Sequence, residues 1–194
     1  MKSSTLPVIL LMTILFCAST SHAQITSDQA LNYQINATHT GYVGAPEVAP
    51  PFKQKWSVNF GQQISYPIIA DGKVFVTVRN SPATYGTKLY AIDGATGAIA
   101  WGPVDLGGTY FWSALCYENG RLFALNYNGL LRAFDGANGN IIWSRQLIGT
   151  SNYTSPPTVY QGVIYVSASR VQAVCTGCER GHGQHPVDHL RLGR

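Results

Sequence analysis

Trp56, Trp101 and Trp143 recur at intervals of 45 and 42 residues, and the residues between them repeat one order of features. The first interval reads YPIIADGKVFVTV and then KLYAIDGATGAIAW. The second reads FWSALCYENGRLFAL and then GLLRAFDGANGNIIW, and a third opens at Ser155 with SPPTVYQGVIYVSAS. A fixed period of this length means that one small unit has been used again and again. The unit therefore has to be understood before anything else in the chain.

Within the first unit, two short apolar runs, Tyr66 to Ala70 and Lys73 to Val78, flank Asp71-Gly72, the sequence signal of a two-residue hairpin turn. Lys88 to Ile92 and Ala98 to Trp101 flank a second turn at Gly94 to Gly97. In the second unit Asn119-Gly120 and Asn138-Gly139 take the corresponding places, and Gln161-Gly162 does so in the third. Each unit thus reads as four short strands. Four strands in a period of about 40 to 45 residues are the mark of a propeller blade. A single four-stranded sheet cannot cover both its faces, whereas sheets stacked around an axis cover each other. The expectation is an all-β fold, a partial β-propeller of four-stranded antiparallel blades, with about two and a half blades between residues 52 and 169. Composition agrees: 45% of residues are hydrophobic and only 11% charged, against roughly 25% charged in an ordinary soluble domain. The net +4 is scattered. With no basic stripe interleaved with aromatics, nucleic-acid binding has no support.

The turns carry a motif. Ala91-x-Asp93-x-x-Thr96-Gly97-x-x-x-Trp101 resembles the tryptophan-docking motif of quinoprotein propellers, and Ala133-x-Asp135-x-x-Asn138-Gly139-x-x-x-Trp143 repeats it with Asn in place of Thr. Elementary chemistry gives each position a task. A short acid can accept hydrogen bonds from the backbone of the following turn. Glycine supplies a positive φ. Alanine leaves room for a neighbouring blade, and tryptophan buries a large ring with its N–H free to find a carbonyl. The resemblance covers roughly Lys53 to Ser169. The Gly-His and Trp-Asp pairs of WD40 repeats are absent.

The ends of the chain read differently. Lys2, the apolar run Val8 to Ala18 and the small residues of Ser21-His22-Ala23 suggest an export signal over residues 1 to 23. Phe16 before Cys17 speaks against a lipid anchor. The run is too short to span a bilayer comfortably, so a soluble protein outside the cytoplasm, periplasmic or extracellular, is expected. Residues 24 to 51 are a polar lead-in without periodicity that could lie along a later surface. After Ser169 the composition changes abruptly. Cys175-x-x-Cys178 with His182, His185 and His189 offers a loose zinc pattern, but its spacing fits neither a zinc finger nor haem attachment. One base further on, codons permitted by residues 170 to 194 recreate a segment of the form KLYALD…TGNILW, which resembles the first unit. The tail is therefore expected to be an out-of-frame translation, and no disulfide framework is expected from four cysteines so placed.

Three functional readings follow. The first is a non-catalytic exported repeat domain with a binding or scaffold role in a longer parent, meeting a protein or small molecule through its loops. The loop Arg79 to Thr87 and the stretch Tyr110-Phe111-Trp112 are candidates for that surface, against a plainer role as inter-strand connection and blade packing. The second reading is part of a dehydrogenase, for which the resemblance implies pyrroloquinoline quinone, a calcium ion, an Asp base and often a vicinal disulfide. No Cys-Cys pair occurs, and Asp105 and Glu118 read as solvated turn residues, so no catalytic residue, cofactor or metal ligand is assigned. The third is an outer-membrane assembly factor. Asn36-Ala37-Thr38 and Asn152-Tyr153-Thr154 fit the N-glycosylation pattern.

Overall fold

A computed structural model describes residues 29–42, 51–147 and 152–168, together with the backbone of two strands at 171–175 and 190–192. The export signal, Cys178, His182, His185 and His189 lie outside the described residues. Among the described residues twelve strands form three four-stranded sheets. The first holds β1 (Ile68–Ala70), β2 (Lys73–Arg79), β3 (Thr87–Asp93) and β4 (Ile99–Gly107). The second holds β5 (Ser113–Glu118), β6 (Arg121–Asn126), β7 (Leu130–Asp135) and β8 (Ile141–Gln146). The third holds β9 (Thr158–Tyr160), β10 (Val163–Ala168), β11 (Val171–Cys175) and β12 (Leu190–Leu192). In each sheet the strands pair antiparallel in chain order. This is the blade of a β-propeller, three times over.

The first turn of every sheet is made the same way. Asp71 and Gly72 hold φ at 47° and 70°, Asn119 and Gly120 at 50° and 78°, Gln161 and Gly162 at 50° and 75°. Two consecutive positive φ angles match the right-handed twist of the strands that such a turn joins. The fourth strand of the first sheet departs from the sequence expectation, which ended it at Trp101. It continues to Gly107 because Gly102 and Pro103 together face Tyr90: Leu89 pairs with Val104, and Ala91 with Trp101. Proline offers no N–H to a ladder and is accommodated at a bulge. Gly102, at φ 104°, has no room for a side chain, since a Cβ would lie 2.7 Å from the Leu89 carbonyl oxygen.

Both faces of the middle sheet are covered. On β6, Leu122 and Ala124 pack with Phe75, Leu89 and Ala91 of the first sheet, while Phe123 and Leu125 pack with Val159, Ile164 and Val166 of the third. The period-two alternation of a strand sends successive side chains to opposite faces. An unbroken apolar run such as LFAL is therefore what a strand buried on both sides requires. The free face of the first sheet, with Val76, Val78 and Ile92, is covered by Trp56, Val58 and Phe60.

The innermost strands β1, β5 and β9 lie beside one another, and the lead-in segment crosses all three. Ala30 exchanges backbone hydrogen bonds with Ile69, at 2.8 Å each way, and the Leu31 carbonyl accepts from the Tyr117 N–H at 2.8 Å. The buried Asn32 side chain accepts from the Val159 N–H at 2.9 Å and donates to its carbonyl at 3.4 Å. In this way a segment with no apolar periodicity fastens three sheets through the main-chain groups of Ala30 and Leu31 and the side chain of Asn32.

Candidate functional site

The motif residues account for how one sheet is held to the next. Asp93 accepts from the Ala95 and Thr96 N–H groups at 3.0 and 2.7 Å and from the Thr96 hydroxyl at 2.8 Å. Those bonds from Thr96 hold its carboxyl below the usual carboxylate range. Thr96 in turn accepts from the Ala98 N–H at 3.2 Å. In the second copy Asp135 accepts from the Ala137 N–H at 2.7 Å. Asn138 donates to Asp135 at 3.2 Å and accepts from the Asn140 N–H at 2.9 Å. Asparagine thus has the same two partners as threonine, one as donor and one as acceptor. Ala91 and Ala133 are fully buried and stand in register opposite Trp101 and Trp143.

Two of the indoles reach the turn of the sheet that follows them in the chain. The Trp56 Nε1 donates to the Gly94 carbonyl at 2.9 Å, with its ring against Gly97. The Trp101 Nε1 donates to the Gly136 carbonyl at 3.1 Å, with its ring against Gly139. Trp143 packs on Phe123 with ring centroids 6.0 Å apart. The turn that would follow β11 lies outside the described residues.

At one end of the sheets, the loop after β2 and the stretch before β5 meet. Asn80 closes the loop, its side chain donating to the Tyr85 carbonyl at 2.9 Å and its N–H to the Gly86 carbonyl at 3.0 Å. The Gly86 N–H donates to the Tyr110 carbonyl at 3.1 Å. Tyr85 stacks on Phe111 at 5.2 Å, Tyr110 lies against Tyr127 at 4.8 Å, and the Arg79 guanidinium sits 4.6 Å from the centre of the Phe111 ring. This rim borders a cavity of about 440 Å³ that also reaches Tyr33, Tyr66, Trp112 and Pro156. Thr77, Thr87 and Ser113 give it hydroxyls, although these are engaged with one another: Thr77 donates to the Ser113 carbonyl at 3.0 Å, and Thr87 and Ser113 share a 2.6 Å bond. Arg79 is the only charged residue in the lining among the described residues.

The opposite end carries the hairpin turns. There Tyr117 donates to Asp71 at 2.5 Å, and burial first, then this bond, pushes its phenol far above the ordinary value. Glu118 is not the solvated turn residue expected. Its two oxygens accept from the Gln161 and Gly162 N–H groups at 2.9 and 2.7 Å, capping the first hairpin of the next sheet. That partner is 43 residues away, which is why local reading gives no hint of it. Asp105, expected in a turn, lies instead near the end of β4, exposed, where its side chain accepts from the Gly107 N–H at 2.7 Å.

A quinone site with calcium would need six to eight oxygen ligands around the ion. The described residues do not fit: among them no carboxylate lines the rim cavity, and they hold no group of three or more His, Cys, Asp or Glu able to share a metal. Cys116 is free and buried, with burial pushing its thiol up. Of the glycosylation patterns, Asn36 is held by Thr38 and Thr40, Asn152 accepts from the Tyr127 hydroxyl, and Tyr153 is wholly buried.

Indole-docked four-stranded blades define a partial β-propeller. A family model described as outer membrane protein assembly factor BamB matches residues 108–184. Among solved structures, a europium-containing methanol dehydrogenase is 18% identical, with TM-score 0.58 over 77% of this chain and 30% of its own. A quinohemoprotein alcohol dehydrogenase from Pseudomonas putida is 14% identical, with TM-score 0.58 over 80% of this chain and 26% of its own. The corresponding enzyme from Comamonas testosteroni is 17% identical, with TM-score 0.55 over 77% and 24%. The chain spans between about a quarter and a third of the length of these structures. No curated protein sequence matches it. No helix among the described residues is long and apolar enough to cross a membrane.

Proposed function

We propose that this chain is a non-catalytic binding module of an exported propeller, and that it engages its partner through the rim formed by Arg79, Tyr85, Tyr110 and Phe111. The observation that carries this reading is the meeting of two loops, separate in sequence, into one aromatic surface over a cavity. Loops held on a rigid sheet scaffold are where recognition concentrates, and a concave site with aromatic walls and few polar groups is the usual form of a ligand pocket. The apolar run Val8 to Ala18 supports a location outside the cytoplasm. The misfit with a calcium-dependent quinone supports binding over catalysis.

Two measurements test it. With pyrroloquinoline quinone, calcium and an artificial electron acceptor added, alcohols should give no turnover; sustained dye reduction would make the chain catalytic and end this reading. A photoreactive phenylalanine analogue at Tyr85 or Tyr110 should form adducts in cell-envelope extract, whereas the same analogue at the exposed Tyr165 of β10 should not. Equal labelling at all three positions would remove the rim as the binding face.

A further inference from the structure

We propose that the rim binds an oligosaccharide that carries a carboxylate, with Arg79 receiving the acid group and Tyr85 and Tyr110 stacking on sugar rings. The proposal rests on the reading of this face as a binding surface and names its ligand class.

The first argument is the state of Arg79. Its Nε is buried and makes no hydrogen bond among the described residues. The guanidinium rests on the Phe111 ring instead. Arg79 lines the cavity, and among the described residues no acidic side chain lines it to balance that charge. A guanidinium matches a carboxylate in geometry and charge, two parallel N–H groups against two oxygens.

The second argument is the character of the rim. Tyr85 and Tyr110 are 62% and 52% exposed, so each presents surface to solvent while neighbouring rings fix its position. A pyranose is amphipathic in the complementary sense: C–H groups on its faces, hydroxyls around its edge. Stacked on a tyrosine, it covers apolar ring surface and keeps its hydroxyls within reach of phenol and amide groups such as Gln63, which lines the same cavity.

The third argument sets a saccharide above a peptide. An extended peptide is usually held by adding to an open strand edge. Here the edge beside the cavity is taken, since the Ser65 N–H donates to the Thr77 carbonyl at 2.8 Å and the Arg79 N–H to the Gln63 carbonyl at 3.0 Å. The floor hydroxyls are engaged with each other as well. What is left to hold a ligand is ring faces, phenols, the Gln63 amide and one guanidinium.

The test uses the full chain and titration by calorimetry with four probes: trigalacturonic acid, its methyl ester, a disaccharide bearing a lactyl-ether carboxylate, and an acidic proline-rich peptide. Saturable binding of at least one carboxylated saccharide is expected, and the two acid probes separate a uronic acid from a lactyl-ether source. The ester should bind at least tenfold more weakly than its acid on the unaltered protein, a comparison that needs no variant to fold. Arg79→Gln, with its melting curve checked, should bring the acid down to the level of the ester, and Tyr110→Ala should weaken both. Binding of neither acid, or equal affinity for acid and ester, overturns the proposal. Tighter binding of the peptide that is lost in Tyr110→Ala also overturns it, while leaving the rim as a binding face.

Discussion

A Cβ on Gly139 would lie 2.6 Å from Cε3 of Trp101, on a backbone that already holds φ at +78°; Gly120 has the same φ with nothing within 4 Å of a Cβ. The pair therefore separates backbone strain from loss of the docked indole. Left-handed φ alone costs a residue with a Cβ about 1–2 kcal/mol, and forcing a ring out of a close contact adds about 1–3 kcal/mol. Gly120→Ala should lower the unfolding free energy by about 1–2 kcal/mol and Gly139→Ala by about 2–5 kcal/mol, as read from urea denaturation; equal losses would mean that the indole contact contributes nothing. Both glycines are legible in the sequence as turn residues. Only the structure shows that one of them is also the floor of a socket. Asp93 makes a prediction about acid. Its folded-state carboxyl is held below the ordinary value of 3.8 by the Thr96 hydroxyl and N–H, so its contribution is complete above that value. It is lost as pH falls through the lower folded value. The urea midpoint should therefore drop as the medium is acidified below about pH 4, and Asp93→Asn should flatten that part of the curve. An unchanged slope in the variant would show that the acid sensitivity arises elsewhere. The exposure of Asp93 keeps this effect small and sensitive to salt.

Strands and turns divide into those that the chain announces and those that it hides. Hairpins at Asp71-Gly72, Asn119-Gly120 and Gln161-Gly162 are announced, because a two-residue turn must be made of residues that tolerate positive φ, and those residues are few. The continuation of β4 is hidden, because Gly102-Pro103 looks like an end and is a bulge. The two rim loops could each be named from composition, yet nothing in either shows that Gly86 bonds to Tyr110 or that Arg79 lies over Phe111. The lead-in is hidden most thoroughly. Its hold on β1, β5 and β9 runs through Ala30 and Leu31 backbone groups and one side chain, Asn32, which imitates a strand partner by meeting both the N–H and the carbonyl of Val159. No periodic pattern can advertise such a contact. Replacing Asn32 by Leu keeps the volume and leaves both Val159 groups buried without a partner, which costs about 1–3 kcal/mol. The expected outcome is a destabilisation of that size in urea, with faster amide exchange at Val159. Unchanged exchange there would show that the lead-in is not fastened through Asn32.

Three sheets stacked face to face behave as an array in which each depends on its neighbours, so stability is a matter of interfaces as much as of units. The period of the tryptophans made the array legible, and the alternation along β6 shows why: one face of a middle strand belongs to the sheet before it and the other to the sheet after it. What the period alone could not show is the direction of the coupling. Trp56 stands before the first sheet and closes onto its turn at Gly94, and Trp101 leaves the first sheet to close onto the second at Gly136. Loss of Trp56 should therefore uncover only the outer face of the first sheet, where Val76, Val78 and Ile92 are buried. Loss of Trp101 should loosen the boundary shared by Phe75, Leu89, Leu122 and Phe134. Truncating a large buried aromatic costs about 3–5 kcal/mol, and less for these half-buried rings. Amide exchange distinguishes the two cases. In Trp56→Ala, protection should fall in β2 and β3 and persist in β6 and β7. In Trp101→Ala it should fall in both sheets. If Trp56→Ala instead lowers protection evenly across all the strands, the molecule opens as one unit and the blades are not coupled pairwise through their indoles.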